Sequence, residues 1–593
     1  MTITNPLTYN GALPNFNQVY PLFVKKYQQV TADPNASMQD KVNSLISYMN
    51  SIGALSNNIV TDWNNVMQWA LNDGLTSNVT SAINTLIANG TLPNLSVGLL
   101  TNLKTTDQSS VISAINEVRK DTEEITVLLS SFPRQTGETT DNARILRAIN
   151  YCTSNKISRL HFDYTGTTYS FSSRVLIKGV NNLYFTSDKN VLLQFANNVN
   201  TSWYGYMLMF EIQECSNITF DGVVFDGNIL GQATPNASKY SYYQCMDIHG
   251  CNNISILNCT FSNFFGYALL PAYDNHRINV VVDYPTMSTY LGIHGFRVIN
   301  NRFTNVRGAI QHICGDHQDI KIIGNVIDTF GEHGIAFYPY ANEILIEGNT
   351  LKNGGQDTTT SGVSIRLYEN KKVIVSNNIV DGFNTTGITA DTNTFSNICN
   401  NISITNNVIR NYVGGYAGST GQGIMIVANN SNVSNNILES AGAQGLLPNG
   451  QNISVNNNVV RNATQYPVNI GWKTGVTGLI NDTFNINSNN LFNDVAPTKY
   501  VFTNGTITNM KISDNRGYNP VGNISAPTIP SSGTAYTNNN FFQCRVFVAG
   551  GTVTNIAING VNTGLTIGAF ILNQNDTITL TYSVAPSWTW FGL

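Results

Sequence analysis

The chain has 593 residues, of which 11% are charged while 48 are glycine, and its formal net charge is −4. A chain this long is either multidomain or a repeat array with a core that grows along one axis, and so few charges exclude a fold dominated by solvated helices. The absence of a basic block excludes nucleic acid as a partner, and no stretch reaches the apolar length of a membrane span, so no membrane insertion is expected.

The opening, MTITNPLTYNGALPNF, carries neither the basic nor the apolar region of a signal peptide, so cytoplasmic synthesis without signal-directed export is expected. Eight cysteines are scattered from Cys152 to Cys544 without a CxxC pair, which predicts buried free thiols. Residues 1–105 read as helices, with apolar faces at Phe23, Val24, Tyr27 and Val30, at Val42, Leu45, Ile46 and Met49, and at Trp63, Val66, Met67, Trp69 and Ala70. They hold no cluster of His, Cys or acidic residues and suit an adaptor. Over 106–134, Val111, Ile115, Val118, Thr122, Ile125, Leu129 and Phe132 follow the alternating four-three spacing of a coiled-coil seam. β-Branched residues at both seam positions favour three strands, hence a homotrimer; the alternative is one amphipathic helix lying on its own domain.

From 135 the texture changes. Gly137-Glu-Thr-Thr-Asp141 reads as a polar cap before an amphipathic helix with Ala143, Leu146 and Ile149 on one side, followed by the strand-turn-strand Ile157–Phe162 and Tyr169–Phe171. This run, GETTDNARILRAINYCTSNKISRLHFDYTGTTYSF, resembles the opening segment of the pectate-lyase-like superfamily, in which a helix caps a right-handed β-helix. It departs from the usual Phe-Pro-x-Gly-x-Tyr wording, because Phe162-Asp-Tyr-Thr-Gly166-Thr-Thr-Tyr169 lacks the proline.

The repeats carry the same expectation independently. Asn217-Ile-Thr-Phe220, Asn253-Ile-Ser-Ile256, Asp319-Ile-Lys-Ile322, Glu343-Ile-Leu-Ile346, Lys372-Val-Ile-Val375, Asn401-Ile-Ser-Ile404, Asn452-Ile-Ser-Val455 and Thr483-Phe-Asn-Ile486 share one frame: polar, apolar, variable, apolar. Most continue into Asn-Asn-x-Ile/Val, and several starts lie about 24 to 29 residues apart, one coil of a solenoid. Such a coil buries its apolar side only against its neighbours, and turn asparagines tolerate left-handed backbone and stack their amides into ladders. Neither the four strands per repeat of a propeller nor the Leu-x-x-Leu-x-Leu of a leucine-rich repeat is present. The fold class expected is therefore mainly β: a right-handed parallel β-helix over 135–525, an α-helical and coiled-coil adaptor before it, and a small β domain over 526–593 as tip or trimer cap.

Six of the seven histidines fall between His249 and His333, with several carboxylates among them. Aligning coils on Gly308, Gly334, Gly362, Gly387 and Gly423 puts His312, Tyr338, Arg366 and Asp391 in one outward column, ended by Val427, with Asp247 extending it toward the amino end. Asp247, His312 and Asp391 are the candidate catalytic groups, since paired carboxylates suit glycoside hydrolysis. Tyr338, Tyr340, Arg366, Tyr368 and Glu369 are the candidate substrate-binding groups, the aromatics stacking on sugar and the arginine gripping an anion. The plainer alternative is that outward polar residues on a solenoid are merely solvated. No metal is expected, because the His312-x4-His317 pair lacks a zinc-site frame, and no cofactor is expected, because neither a Walker loop nor a dinucleotide fingerprint is present.

The order adaptor, coiled coil, capped β-helix and β tip resembles phage tailspikes and pre-neck (collar) appendage proteins. That resemblance implies a homotrimer in the virion, made in the host cytoplasm and anchored to collar or tail proteins by residues 1–105, that binds bacterial surface glycan such as capsule or teichoic acid. Some members of that group cleave their glycan and some only hold it. A cellular polysaccharide lyase or epimerase is the third alternative.

Overall fold

The computed structural model describes residues 126–593 apart from 200–205, 233–241, 273–290, 313–314, 357–360, 393–397, 417, 474–478, 495–498, 505–506 and 508. The helices expected over 1–105 and the coiled-coil seam through Ile125 lie outside the described residues.

Between Thr126 and Ser513 the chain winds as a parallel β-helix with three strands per coil. In one coil these are Asn342–Glu347, Thr350–Gly354 and Val363–Tyr368, and their stacked equivalents form ladders one, two and three. Each strand pairs in parallel with its counterpart one coil on, as in Ile344 with Val373, Leu351 with Val380 and Ile365 with Ile388. The repeat frame explains this: its two apolar positions point inward and stack on those of the next coil, so Ile320, Ile344, Val373 and Ile402 form one buried column. Toward the amino end phenylalanines replace the aliphatics and stack ring on ring, Phe185 on Phe220 at 4.3 Å and Phe261 on Phe303 at 4.8 Å.

The polar first residue of each repeat takes the left-handed conformation that starts a strand after a corner. Asn217, Asn253, Asn401 and Asn452 have φ between 53° and 56°, where asparagine is the best tolerated side chain. Of the paired asparagines at the next corner, the first is again left-handed and the second turns inward. Asn301, Asn325, Asn349, Asn378, Asn407, Asn436, Asn458, Asn489 and Asn515 form a buried ladder. In each rung the side-chain carbonyl accepts both the backbone and side-chain amides of the asparagine one coil earlier, for example Asn349 N and Nδ2 to Asn378 Oδ1, each at 2.9 Å. The side-chain amide also donates to a strand carbonyl, as Asn378 Nδ2 does to Ile346 O at 3.0 Å, so the polar side-chain atoms of the inward asparagine are paired away from water. Cys259 N closes one end on Asn301 Oδ1, and Asn519 Oδ1 closes the other.

Several expected boundaries shift. The last part of the coiled coil assigned to 106–134 is not helical: Thr126–Leu128 pairs in parallel with Arg159–Phe162, and Leu129–Ser131 is a 3-10 turn. Leu129 is fully buried in the β-helix core and Phe132 packs against it, so the last two seam positions cap the solenoid instead. The capping helix spans Asn142–Ser154, but it buries Ile145, Ala148, Ile149 and Cys152 while Ala143 and Leu146 are exposed. Those four follow the i, i+3, i+4, i+7 spacing of one helical face, which the expected trio only grazed. Parallel coils end at Lys511–Ser513, and the C-terminal domain begins with Gly522–Ile524, slightly before 526. It is two four-stranded antiparallel sheets around a separate core centred on Trp590, and the aromatic tail Ser587–Gly592 is itself a strand. The seven described cysteines are buried free thiols, as expected.

Candidate functional site

Among the described residues, several outward side chains of ladder three are withdrawn from water. Ala336, Ser364, Thr389 and Leu447 face away from the helix interior yet are almost fully buried. Amid this face lies a half-buried cluster of charged and aromatic groups. Glu332 accepts Tyr267 Oη at 2.5 Å and Arg307 Nε at 3.0 Å. His333 Nε2 sits 3.7 Å from Glu332 and 2.7 Å from Arg366 Nη1. The Arg366 guanidinium lies 4.4 Å from the centroid of the Tyr368 ring, whose own neighbour is Tyr338, with ring centroids 5.3 Å apart. Beyond Tyr368, Asp391 pairs with Lys473, which reaches back from a coil several turns on and is fixed by its backbone amide donating to Asn449 Oδ1 at 2.9 Å.

The charges are unequally compensated. Burial, reinforced by Arg366, holds His333 well below the usual imidazole range, so it is neutral. Burial also raises the Tyr368 hydroxyl; Arg366 opposes that shift, and the Asp391 and Glu332 carboxylates add to it. Arg307 has Glu332 and Lys473 has Asp391. Among the described residues, Arg366 forms no ion pair, and its Nε is buried without a hydrogen-bond partner.

The expected column is partly wrong, and strand register shows why. The true outward column is Tyr338, Tyr368, Asp391, since Phe337 pairs with Leu367 and Tyr368 with Asp391. Arg366 instead pairs with Ala336 and Thr389, two residues earlier on the same face. A two-residue offset leaves a side chain on the same face, so Arg366 still meets Tyr368. A one-residue offset inverts it. His312 suffers that inversion: Gln311 pairs with Ala336, so His312 falls beside Phe337 and points into the core. Its ring is fully buried, 5.7 Å from Phe337 and 4.0 Å from His317, and burial pushes its pKa down to about 3. His312 is therefore a core residue, not a member of the outward column. Tyr340 and Glu369 occupy left-handed corner positions, φ 76° and 53°, after their ladder-three strands, and Glu369 N donates to Asp391 O at 3.0 Å.

Asp247 stands apart. It pairs in register with Glu211 on one side and Leu270 on the other, five coils before the coil of Asp391, or roughly 24 Å along the axis. Those two carboxylates cannot work as one pair. Asp247 has a closer partner outside the expected column: Glu211 lies one coil away, and His249 Nε2 is 3.2 Å from Asp247 and 4.0 Å from Glu211. Arg174 pairs with Glu211, and Gln213 donates to it at 2.6 Å. Glu211, Asp247 and His249 are almost fully buried. A signal for Glu211 did exist, because Phe210-Glu-Ile-Gln-Glu-Cys215-Ser-Asn-Ile and Met246-Asp-Ile-His-Gly-Cys251-Asn-Asn-Ile are two copies of one phrase. For Lys473 there was none, since it arrives from 82 residues away.

A family model for the right-handed β-helix region matches residues 290–463, and the coils fit that description. The chain is also similar to pre-neck appendage proteins of two Bacillus phages. It is 34% identical to that of Bacillus phage B103 over 87 residues, 15% of this chain and 10% of that protein. It is 30% identical to that of Bacillus phage phi29 over 95 residues, 16% of this chain and 11% of that protein. The matched segment thus spans only about a tenth of these relatives. Among solved structures, PfbA, a surface adhesin of Streptococcus pneumoniae, is similar with a TM-score of 0.41 and 14% identity, covering 59% of this chain and 93% of that one.

Proposed function

We propose that this chain is a phage virion appendage, attached through its N-terminal region and assembled as a homotrimer, that holds an acidic bacterial surface glycan against the outer face of ladder three. The observation that carries the ligand chemistry is Arg366. A guanidinium that lies on a tyrosine face, donates to a neutral histidine and lacks a carboxylate partner among the described residues presents its charge to an anion from outside. Tyr338 and Tyr368 beside it offer apolar ring surface to a sugar. Phosphate or carboxylate on the glycan, as in a teichoic acid or an acidic capsule, supplies the missing charge.

The test is binding of the full chain to poly(glycerol phosphate) teichoic acid and to an uncharged glucan, with and without Arg366→Ala. Tighter binding to the charged polymer, weakened tenfold or more by Arg366→Ala and by added salt, is the expected result. An Arg366→Ala variant that binds the teichoic acid polymer like the parent, or teichoic acid binding that added salt leaves unchanged, refutes the assignment.

A second reading, that the appendage also cleaves its glycan, draws on Glu211 and Asp247. The two carboxylates stand on neighbouring coils with His249 Nε2 3.2 Å from Asp247 and 4.0 Å from Glu211, the group types of an acid–base set, and because all three are almost fully buried, cleavage requires that the glycan gain access to them. Mass spectrometry of polymer incubated with the protein separates the readings: shortened products lost in Asp247→Asn support cleavage, and an unchanged polymer leaves adhesion alone.

A further inference from the structure

The outer face of ladder one carries a different surface. Over the strands Lys371–Ser376, Cys399–Thr405, Ser431–Ser434 and Gln451–Asn456 lies a shallow depression of about 690 Å³, within the roughly 300–1,000 Å³ of ordinary ligand sites. We propose that this depression is a second carbohydrate site, taking an uncharged polyhydroxylated chain laid along the helix axis.

Register places Ile374, Ser403, Asn432 and Ser454 in one outward column, each one coil after the last. Coils repeat at about 4.8 Å, so a polymer lying along the axis meets an apolar side chain at Ile374 and then a hydroxyl or amide at each of the next three steps. The hydroxyls of Ser403 and Ser454 make no hydrogen bond to other described residues, and the Asn456 carbonyl at the far end is sheltered without a donor. Hydroxyl and amide groups both donate and accept, which matches the vicinal hydroxyls of a sugar. Ile374, 48% exposed, supplies an apolar contact for a ring face. Charge sets this site apart from the Arg366 cluster: the one charged lining side chain, Lys372, is already paired with Glu343 at 2.9 Å. A neutral glycan finds hydrogen-bonding capacity in the Ser403 and Ser454 hydroxyls and the Asn456 carbonyl, while the Asn432 side-chain amide already donates to Ser434 Oγ at 2.8 Å.

The experiment uses the full chain and uncharged hexasaccharides of glucose, mannose, galactose and N-acetylglucosamine, read by saturation-transfer NMR and calorimetry. At least one should bind, the Asn432→Ala/Ser454→Ala double variant should weaken it tenfold or more, and Arg366→Ala should leave it unchanged. Loss of acidic-polymer binding in Arg366→Ala with neutral binding intact separates this site from the one on ladder three. The proposal is overturned if none of the four binds, or if the double variant binds as the parent does. It is also overturned if Ser454→Arg changes the mass of the assembly by light scattering, because the face would then be covered by another copy of the chain.

Discussion

Removing one rung of the asparagine ladder tests what holds the coils in register. In Asn378→Ala, the Asn349 backbone amide loses its acceptor, the Ile346 carbonyl loses its side-chain donor, and Asn407 Oδ1 keeps only one of its two donors. All three asparagines are fully buried, so water does not readily substitute. At about 1–3 kcal/mol for an orphaned buried group, the one complete loss, at the Asn349 amide, costs about 1–3 kcal/mol, because the Ile346 carbonyl keeps its backbone pairing with the next strand. The neighbouring Asn377 provides the control: it is exposed and left-handed at φ 58°, so Asn377→Gly should cost only a few tenths of a kcal/mol, on the order of the glycine and asparagine difference at such sites. Urea unfolding rates measure the difference, and hydrogen exchange at the Asn349 amide locates it. If Asn378→Ala unfolds within about 1 kcal/mol of the parent, with the Asn349 amide still protected, the ladder is ornamental and the reasoning fails.

Three further outcomes follow from the same geometry. His312, held near 3 by burial, binds its proton more readily in the unfolded chain, so its stabilisation is complete above about pH 6.5 and is lost as pH falls toward 3. The loss between pH 7 and pH 5 is about 2 kcal/mol, and His312→Phe should flatten the measured stability slope by that amount, whatever its cost at pH 7. At Gly450, φ is +126° and an added Cβ would lie 1.8 Å from Ala428 O, so Gly450→Ala should lower thermal stability by about 2 kcal/mol or more, whereas Gly348→Ala, left-handed but in open space, should cost about 1 kcal/mol. Asp391→Asn strips Lys473 of its carboxylate and should tighten binding of the teichoic acid polymer in proportion to the charge released; weakened binding would show that Asp391 itself holds the ligand.

Repetition made the architecture legible, because a coil that cannot bury its own apolar side must write the same polar-apolar frame again in the next coil. Asn217, Asn253 and Asn401 marked left-handed corners, and Asn377-Asn378 marked a corner plus a ladder rung, all before any coordinate was needed. The site was harder to read. Tyr338, Tyr368 and Asp391 come together, but the glycine frame used to align them slips by one residue at Gly308 and by two at Gly362, and only backbone pairing reveals this.

The amino-acid order by itself determined that this chain stacks coils, where their corners fall and which residues line the interior, since those properties are local and recur every coil. Tertiary structure alone decided which outward residues meet. Faces invert with a one-residue slip, so His312 went inside; Asp247 lies five coils from Asp391 and in register with Glu211 one coil away, so its partner is Glu211; and Lys473 crossed several coils to neutralise Asp391, leaving Arg366 as the charge without an ion-pair partner among the described residues.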